Sequence, residues 1–195
     1  KAVMFMQSIT SPFLLHLNDG WTIESADKSK CADLRVPGDV HSALLASEQI
    51  PNPYWRDTEQ SLDWVHELEW TASTDFEFEG DICKRHILTF MSVDCIATVY
   101  LNDVEIGRCN SQFKRWEFDT SVALKLGKNA LRVTFHSNSE AAADAAARST
   151  IPTPYLSFNN RLAHYNFLRK TQCHAGWDWN IAISPLGFYD DIFLS

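Results

Sequence analysis

A chain of 195 residues and 22.2 kDa is the size of one all-β domain and buries roughly 70% of its unfolded surface, enough for a core. Hydrophobic residues make up 45% and charged residues 22% of it, a globular balance that excludes a disordered chain. A net charge of −8 and a sequence pI near 5.3 argue against nucleic acid or an anionic membrane as partner, since both demand a basic face.

In chain order, the segment Lys1 to Gln7 is largely apolar, but polar residues and Pro12 interrupt it too early for a leader peptide. No stretch approaches the ~20 apolar residues of a membrane span, so a cytoplasmic location is expected. Pro37-Gly38-Asp39 precedes Val40 to Leu45, where Asp39 suits an N-cap and Val40, Ala43 and Leu44 share one helical face. Trp64 to Trp70 and His86 to Met91 read as strands. Cys95 to Leu101 reads as a more fully buried strand, and Asn102-Asp103 offers a tight turn into Val104-Glu105-Ile106. A second turn at Leu126 to Asn129 leads to Leu131 to His136, whose strict alternation predicts a half-buried antiparallel strand. Ser137-Asn138-Ser139-Glu140 has capping-box spacing ahead of the alanine-rich run Ala141 to Ala147. That helix carries little large apolar surface and is expected on the outside. From Ile151 to Trp179 the chain is rich in Pro, Asn, His, Tyr and Trp without a clear period, and long loops of this kind usually carry function.

The five cysteines, Cys31, Cys83, Cys95, Cys109 and Cys173, are odd in number and widely spaced, with no C-x-x-C. The pattern predicts buried free thiols rather than disulfides or structural zinc. Cys173-His174, with His164 as a third donor, is a poor metal set, because adjacent ligands do not easily converge and no second spaced pair exists. No nucleophile elbow, phosphate loop, dinucleotide fingerprint or zinc-protease motif occurs. No catalytic residue, metal ligand or cofactor is therefore assigned. The acidic residues leave room for a pair of catalytic carboxyls, but nothing in the sequence singles one out.

The densest unusual cluster is Asn166-Phe167-Leu168-Arg169-Lys170 followed by Gly176-Trp177-Asp178-Trp179-Asn180. A sugar presents an apolar C–H face and a ring of hydroxyls. An aromatic plate supplies contact with the first, and a carboxylate accepts from two neighbouring hydroxyls of the second. Trp177, Asp178 and Trp179 are the candidate sugar-binding residues, with Arg169, Lys170 and Asn180 in support. The same tripeptide also suits packing, with two core indoles around a turn-capping carboxylate, and alternation would send the indoles to one side and Asp178 to the other. Arg169 and Lys170 read either as a solvated basic pair or as neutralisers of Asp178 or of a carboxylate on a neighbouring domain.

Several motifs carry a resemblance: Val36-Pro37-Gly38-Asp39-Val40-His41, Ile50-Pro51-Asn52-Pro53-Tyr54, Leu62-Asp63-Trp64-Val65, Tyr100-Leu101-Asn102-Asp103 with Gly107, and Phe113 to Asp119. Together with the cluster from Asn166 to Trp179, they resemble the N-terminal sugar-binding domain of glycoside hydrolase family 2, and within it the β-mannosidases, from about Trp21 to Phe193. The resemblance implies an all-β, jelly-roll-like, galactose-binding-domain-like β-sandwich with short peripheral helices, one domain over residues 1–195. It implies an immunoglobulin-like domain and a catalytic barrel C-terminal to this chain, with the two glutamates of a retaining mechanism on the barrel. It also implies that Asp178 lends a sugar-hydroxyl ligand to the barrel's terminal-sugar subsite, lined or braced by Trp177 and Trp179. The expected partners are a terminal β-mannoside or related sugar and the C-terminal domains of the same polypeptide. A free-standing carbohydrate-binding module or lectin is the alternative. Asn180-Ile181 stands where many relatives have Gly-Pro, and Gly187-Phe188-Tyr189 where Gly-Ile-Trp is usual.

Overall fold

The computed structural model describes residues 13–151, 153, 162–176 and 178–195. Residues 1–12, on which the leader expectation fell, and 152 and 154–161 of the long aromatic segment lie outside them. In chain order the strands are β1 (Leu15–His16), β2 (Trp21–Ser25), β3 (Cys31–Leu34), β4 (Gly38–Asp39), β5 (Trp70–Phe78), β6 (Ile87–Phe90) and β7 (Val93–Asp94). They continue with β8 (Ile96–Leu101), β9 (Val104–Asn110), β10 (Trp116–Asp119), β11 (Gly127–Phe135), β12 (Gly187–Phe188) and β13 (Ile192–Leu194). Among the described residues, three short α-helices accompany them, α1 (Val40–Ala46), α2 (Trp64–Glu67) and α3 (Asn138–Arg148), besides single 3-10 turns.

Alternating burial explains the strands. β2 alternates buried and exposed residues without a break, and β11 keeps Asn129, Leu131, Val133 and Phe135 inward. The strands assemble, all antiparallel, into a six-stranded sheet ordered β3-β2-β5-β11-β8-β9, a four-stranded sheet β1-β13-β6-β10 and a small sheet β4-β12-β7. Phe188 of β12 ties the layers together. Its ring lies 4.9 Å from Trp21 and 5.2 Å from Phe135 on the large sheet, and 5.8 Å from Phe90 on the four-stranded one. The neighbouring Gly187 is needed for that approach, since a Cβ there would meet the Gly38 carbonyl oxygen at 2.2 Å.

The jelly-roll-like sandwich expected from the sequence is the architecture found. The predicted turn at Asn102-Asp103 joins β8 to β9, and both residues adopt left-handed φ values, 48° and 65°, as a two-residue hairpin requires. Asp39 caps α1 as expected, accepting from the Ser42 amide at 3.1 Å, while the Ser42 hydroxyl oxygen accepts from the Asp39 amide at 3.0 Å. Ser137 caps α3 by accepting from the Glu140 amide. α3 is largely solvated, although Ala142 is buried against Cys95, Leu162, Tyr165 and Leu168.

Two expectations are corrected. Trp64 to Trp70 is not one strand: Trp64 to Glu67 forms the short helix α2, and extended structure begins only at Trp70. The helical turn buries the adjacent residues Val65 and His66 together, which a strand cannot do on one face, and the Trp70 indole N–H locks it by donating to the Val65 carbonyl at 2.7 Å. The thiols are not uniformly buried: Cys95 and Cys109 are inside, while Cys31, Cys83 and Cys173 are exposed.

Candidate functional site

Residues 170–185 form a hairpin-like loop whose tip carries the candidate sugar ligands. Halfway along it, Ala175 bridges Ala182, and the Ile183 amide donates to the His174 carbonyl at 3.0 Å. Gly176 follows that neck with φ at 93°, a left-handed value that favours glycine and turns the chain toward the tip. Asp178 and Trp179 occupy the tip as a turn, both exposed, Trp179 at 58%. A turn removes the strand alternation that would have set Trp179 on the face opposite Asp178. Trp177 lies outside the described residues. Asn180 is half-buried and lines a groove of about 270 Å³ between α1 and the loop, together with His41, Tyr54, His174 and Tyr189. Tyr54 is 65% exposed and presents an aromatic plate at its rim.

The base of the loop is polar and buried. The Lys170 ammonium sits 3.0 Å from the Asp94 carboxylate, and both side chains are 0% exposed. The same nitrogen donates to the Pro185 carbonyl at 2.6 Å and to the Ser184 hydroxyl at 3.2 Å, and lies 5.5 Å from the centre of the Tyr165 ring. Asn138, at the start of α3, donates to the Ser184 hydroxyl at 2.7 Å and accepts from the Cys95 thiol at 3.7 Å. Beside them, the Thr171 amide and hydroxyl both donate to the Gln112 side-chain carbonyl, at 2.8 and 3.0 Å.

Burial dominates the electrostatics of this cluster. It pushes the Asp94 carboxyl up to about 6 against the opposing pull of Lys170, and raises the Asp39 carboxyl despite its bonds to Ser42. It draws the His41 imidazole down to about 4, with the Lys170 charge adding to the effect, and lowers His174 in the same way. The Cys95 thiol rises to about 12, so it is a protonated donor rather than a nucleophile. Among the described residues no three His, Cys, Asp or Glu side chains converge as a metal site. The arrangement is suited to presenting groups on a fixed loop.

Arg169 and Lys170 therefore part company. Leu168, Arg169 and Lys170 alternate buried, exposed and buried. Arg169 faces solvent, whereas Lys170 points inward to Asp94 and is not a solvated residue. Sequence reasoning missed Asp94, Asn138 and Ser184. The one signal for Asp94 was its place immediately before the apolar run of β8, where a lone carboxylate entering a core requires a partner.

The fold and this loop define a class, the galactose-binding-like β-sandwich. The family model described as the glycosyl hydrolase 2 galactose-binding domain-like matches residues 21–190, and the chain belongs to that family. A Bos taurus protein named Beta-mannosidase is 32% identical over 184 residues, covering 91% of this chain and 21% of its own length. A Caenorhabditis elegans protein named Probable beta-mannosidase is 30% identical over 190 residues, covering 93% of this chain and 21% of its own. Among solved structures, a beta-D-mannosidase from Dictyoglomus thermophilum superposes with a TM-score of 0.87 at 26% identity, over 94% of this chain and 22% of that one. The exo-chitosanase of Amycolatopsis orientalis, at 13% identity and a TM-score of 0.63, shares the fold. The chain thus spans about a fifth of the length of these relatives, matching a domain of β-mannosidase-like family 2 enzymes.

Proposed function

We propose that this chain is the N-terminal sugar-binding domain of a retaining, exo-acting β-mannosidase-type glycoside hydrolase, and that Asp178 is its own contribution to the terminal-sugar site. The observation that carries the reading is the placing of an exposed carboxylate beside an exposed indole at the tip of a loop anchored in the sandwich. The carboxylate accepts from two neighbouring sugar hydroxyls, and the indole covers the C–H face. Relatives named for β-mannoside hydrolysis support the sugar class. The catalytic carboxyls belong to a barrel elsewhere in the same polypeptide, and the domain orients the terminal sugar for them.

The test is Asp178→Ala in the full-length protein, assayed on nitrophenyl β-mannoside. Two charge-assisted bonds that tighten in the transition state are worth about 2–4 kcal/mol together, so kcat/KM falls roughly 30- to 1,000-fold. The melting temperature barely moves, because an exposed turn residue contributes within about 0.5 kcal/mol. Turnover within about threefold of the parent overturns the reading.

A further inference from the structure

The loop that carries Asp178 is held at its base by one buried ion. The Lys170 ammonium donates to two acceptors, the Pro185 carbonyl at 2.6 Å and the Ser184 hydroxyl at 3.2 Å, and forms an ion pair with Asp94 Oδ1 at 3.0 Å. Lys170 opens the loop and Pro185 closes it, fifteen positions later. Asp94 belongs to neither end. It lies on β7, which pairs with β12 directly below the loop. A single charge thus draws both ends of the loop together and fastens them to the sandwich, with the Ala175–Ala182 bridge holding the stem above it. Asn138 completes the network from α3 through Ser184.

A buried ion pair is a poor source of net stability, since desolvation offsets most of the attraction. What it supplies here is direction: two hydrogen bonds and an ion pair to fixed partners at the far loop end and on β7 hold the loop ends in one relative placement. We propose that Lys170 is the positioning residue of the sugar site, clasping both ends of the Asp178 loop to β7 so that the tip is presented in one orientation. The proposal rests on the sugar-binding reading of Asp178 for its functional half and on the geometry of the base for its structural half.

The test uses Lys170→Met paired with Asp94→Asn in the full-length protein, which avoids stranding a buried carboxylate. Ser184→Ala is a milder second variant, removing one acceptor without touching the charge pair. Hydrogen exchange is followed by mass spectrometry across residues 172–183 and, as a reference, across β5 and β11. Exchange in the loop is expected to rise at least tenfold in the paired variant and by less in Ser184→Ala, with the reference strands unchanged. On nitrophenyl β-mannoside, kcat/KM falls about 10- to 100-fold in the paired variant, the scale of a misplaced binding group. The same pair of substitutions costs under about threefold when Asp178 is already alanine, because Lys170 acts through Asp178. Unchanged loop exchange overturns the proposal, as do losses that simply multiply with that of Asp178→Ala. Normal turnover in Asp178→Ala alone defeats the sugar-binding reading instead, and the exchange measurement then decides the clasp by itself.

Discussion

His41 and Asp94 both feel the Lys170 charge, and the folded protein shifts their protonation in opposite senses. The His41 imidazole titrates at about 4 when folded and near its ordinary value of 6.5 when unfolded. Between those pH values the unfolded chain holds the extra proton, so this group's contribution is lost as pH falls through the window. Asp94 titrates at about 6 when folded against an ordinary 3.8, so the folded chain holds the extra proton and stability is lost as pH rises toward 6. Asp39, also raised by burial, acts in the same sense as Asp94, while His174, lowered, acts with His41. The expected result is a nearly flat stability profile between pH 4 and 6.5, with single substitutions tilting it. In His41→Leu the urea midpoint falls with rising pH across the window. In Asp94→Asn it rises, since the histidine slope then goes unopposed by Asp94. Parallel profiles in the two variants contradict this account. The prediction concerns groups only half legible from sequence. Asp178 stood out because an acid between two indoles is unusual, whereas the partners of Lys170 come from β7, α3 and the far end of the loop, and no local spacing brings such residues together.

The β8–β9 hairpin shows what a turn asks of its residues. Asn102 earns its left-handed φ through its side chain: its amide donates to the Ala123 carbonyl and to Asn129, both at 2.8 Å, and its carbonyl accepts from the Ala130 amide at 3.0 Å. Asp103 is left-handed too, but its side chain is 94% exposed and holds only a distant Arg132 at 3.6 Å, a pair of little energetic consequence. The two positions are expected to respond oppositely. Asn102→Ala loses about 2 kcal/mol or more, and Asp103→Gly gains about 0.5 kcal/mol by relieving the left-handed backbone, both read from urea midpoints. A loss on Asp103→Gly contradicts this division of labour. At this scale the sequence was informative where the signal is local: the hairpin, the Asp39 and Ser137 caps and the alternation of β11. It misled at α2, where the tryptophan-rich segment mimics a strand and the helical turn is decided by tertiary contacts of Val65 and Trp70.

For the whole molecule, the layers meet at Phe188. Its contacts with Trp21, Phe90 and Phe135 draw on both large sheets, so Phe188→Ala is expected to cost about 3–5 kcal/mol, the range for emptying a fully packed aromatic site. Calorimetry checks it. A loss below about 1 kcal/mol shows that the layers are held elsewhere. The sandwich class was readable because many short strands with turn signals admit few architectures, but β4, β7 and β12, each two residues long, carry too little pattern to be seen. The same economy has a consequence for how the chain is made. β1 pairs Leu15 with Leu194, and β13 also supplies one flank of β6, so a nascent chain emerging from the ribosome holds β1 unpaired and one flank of β6 bare until β13 appears. At roughly 5–20 residues per second β1 waits on the order of 10–40 s for its partner, and β6 about half as long. Through that wait, the half-made sandwich presents an open seam that a chaperone, or a second nascent copy, can reach before β13 does.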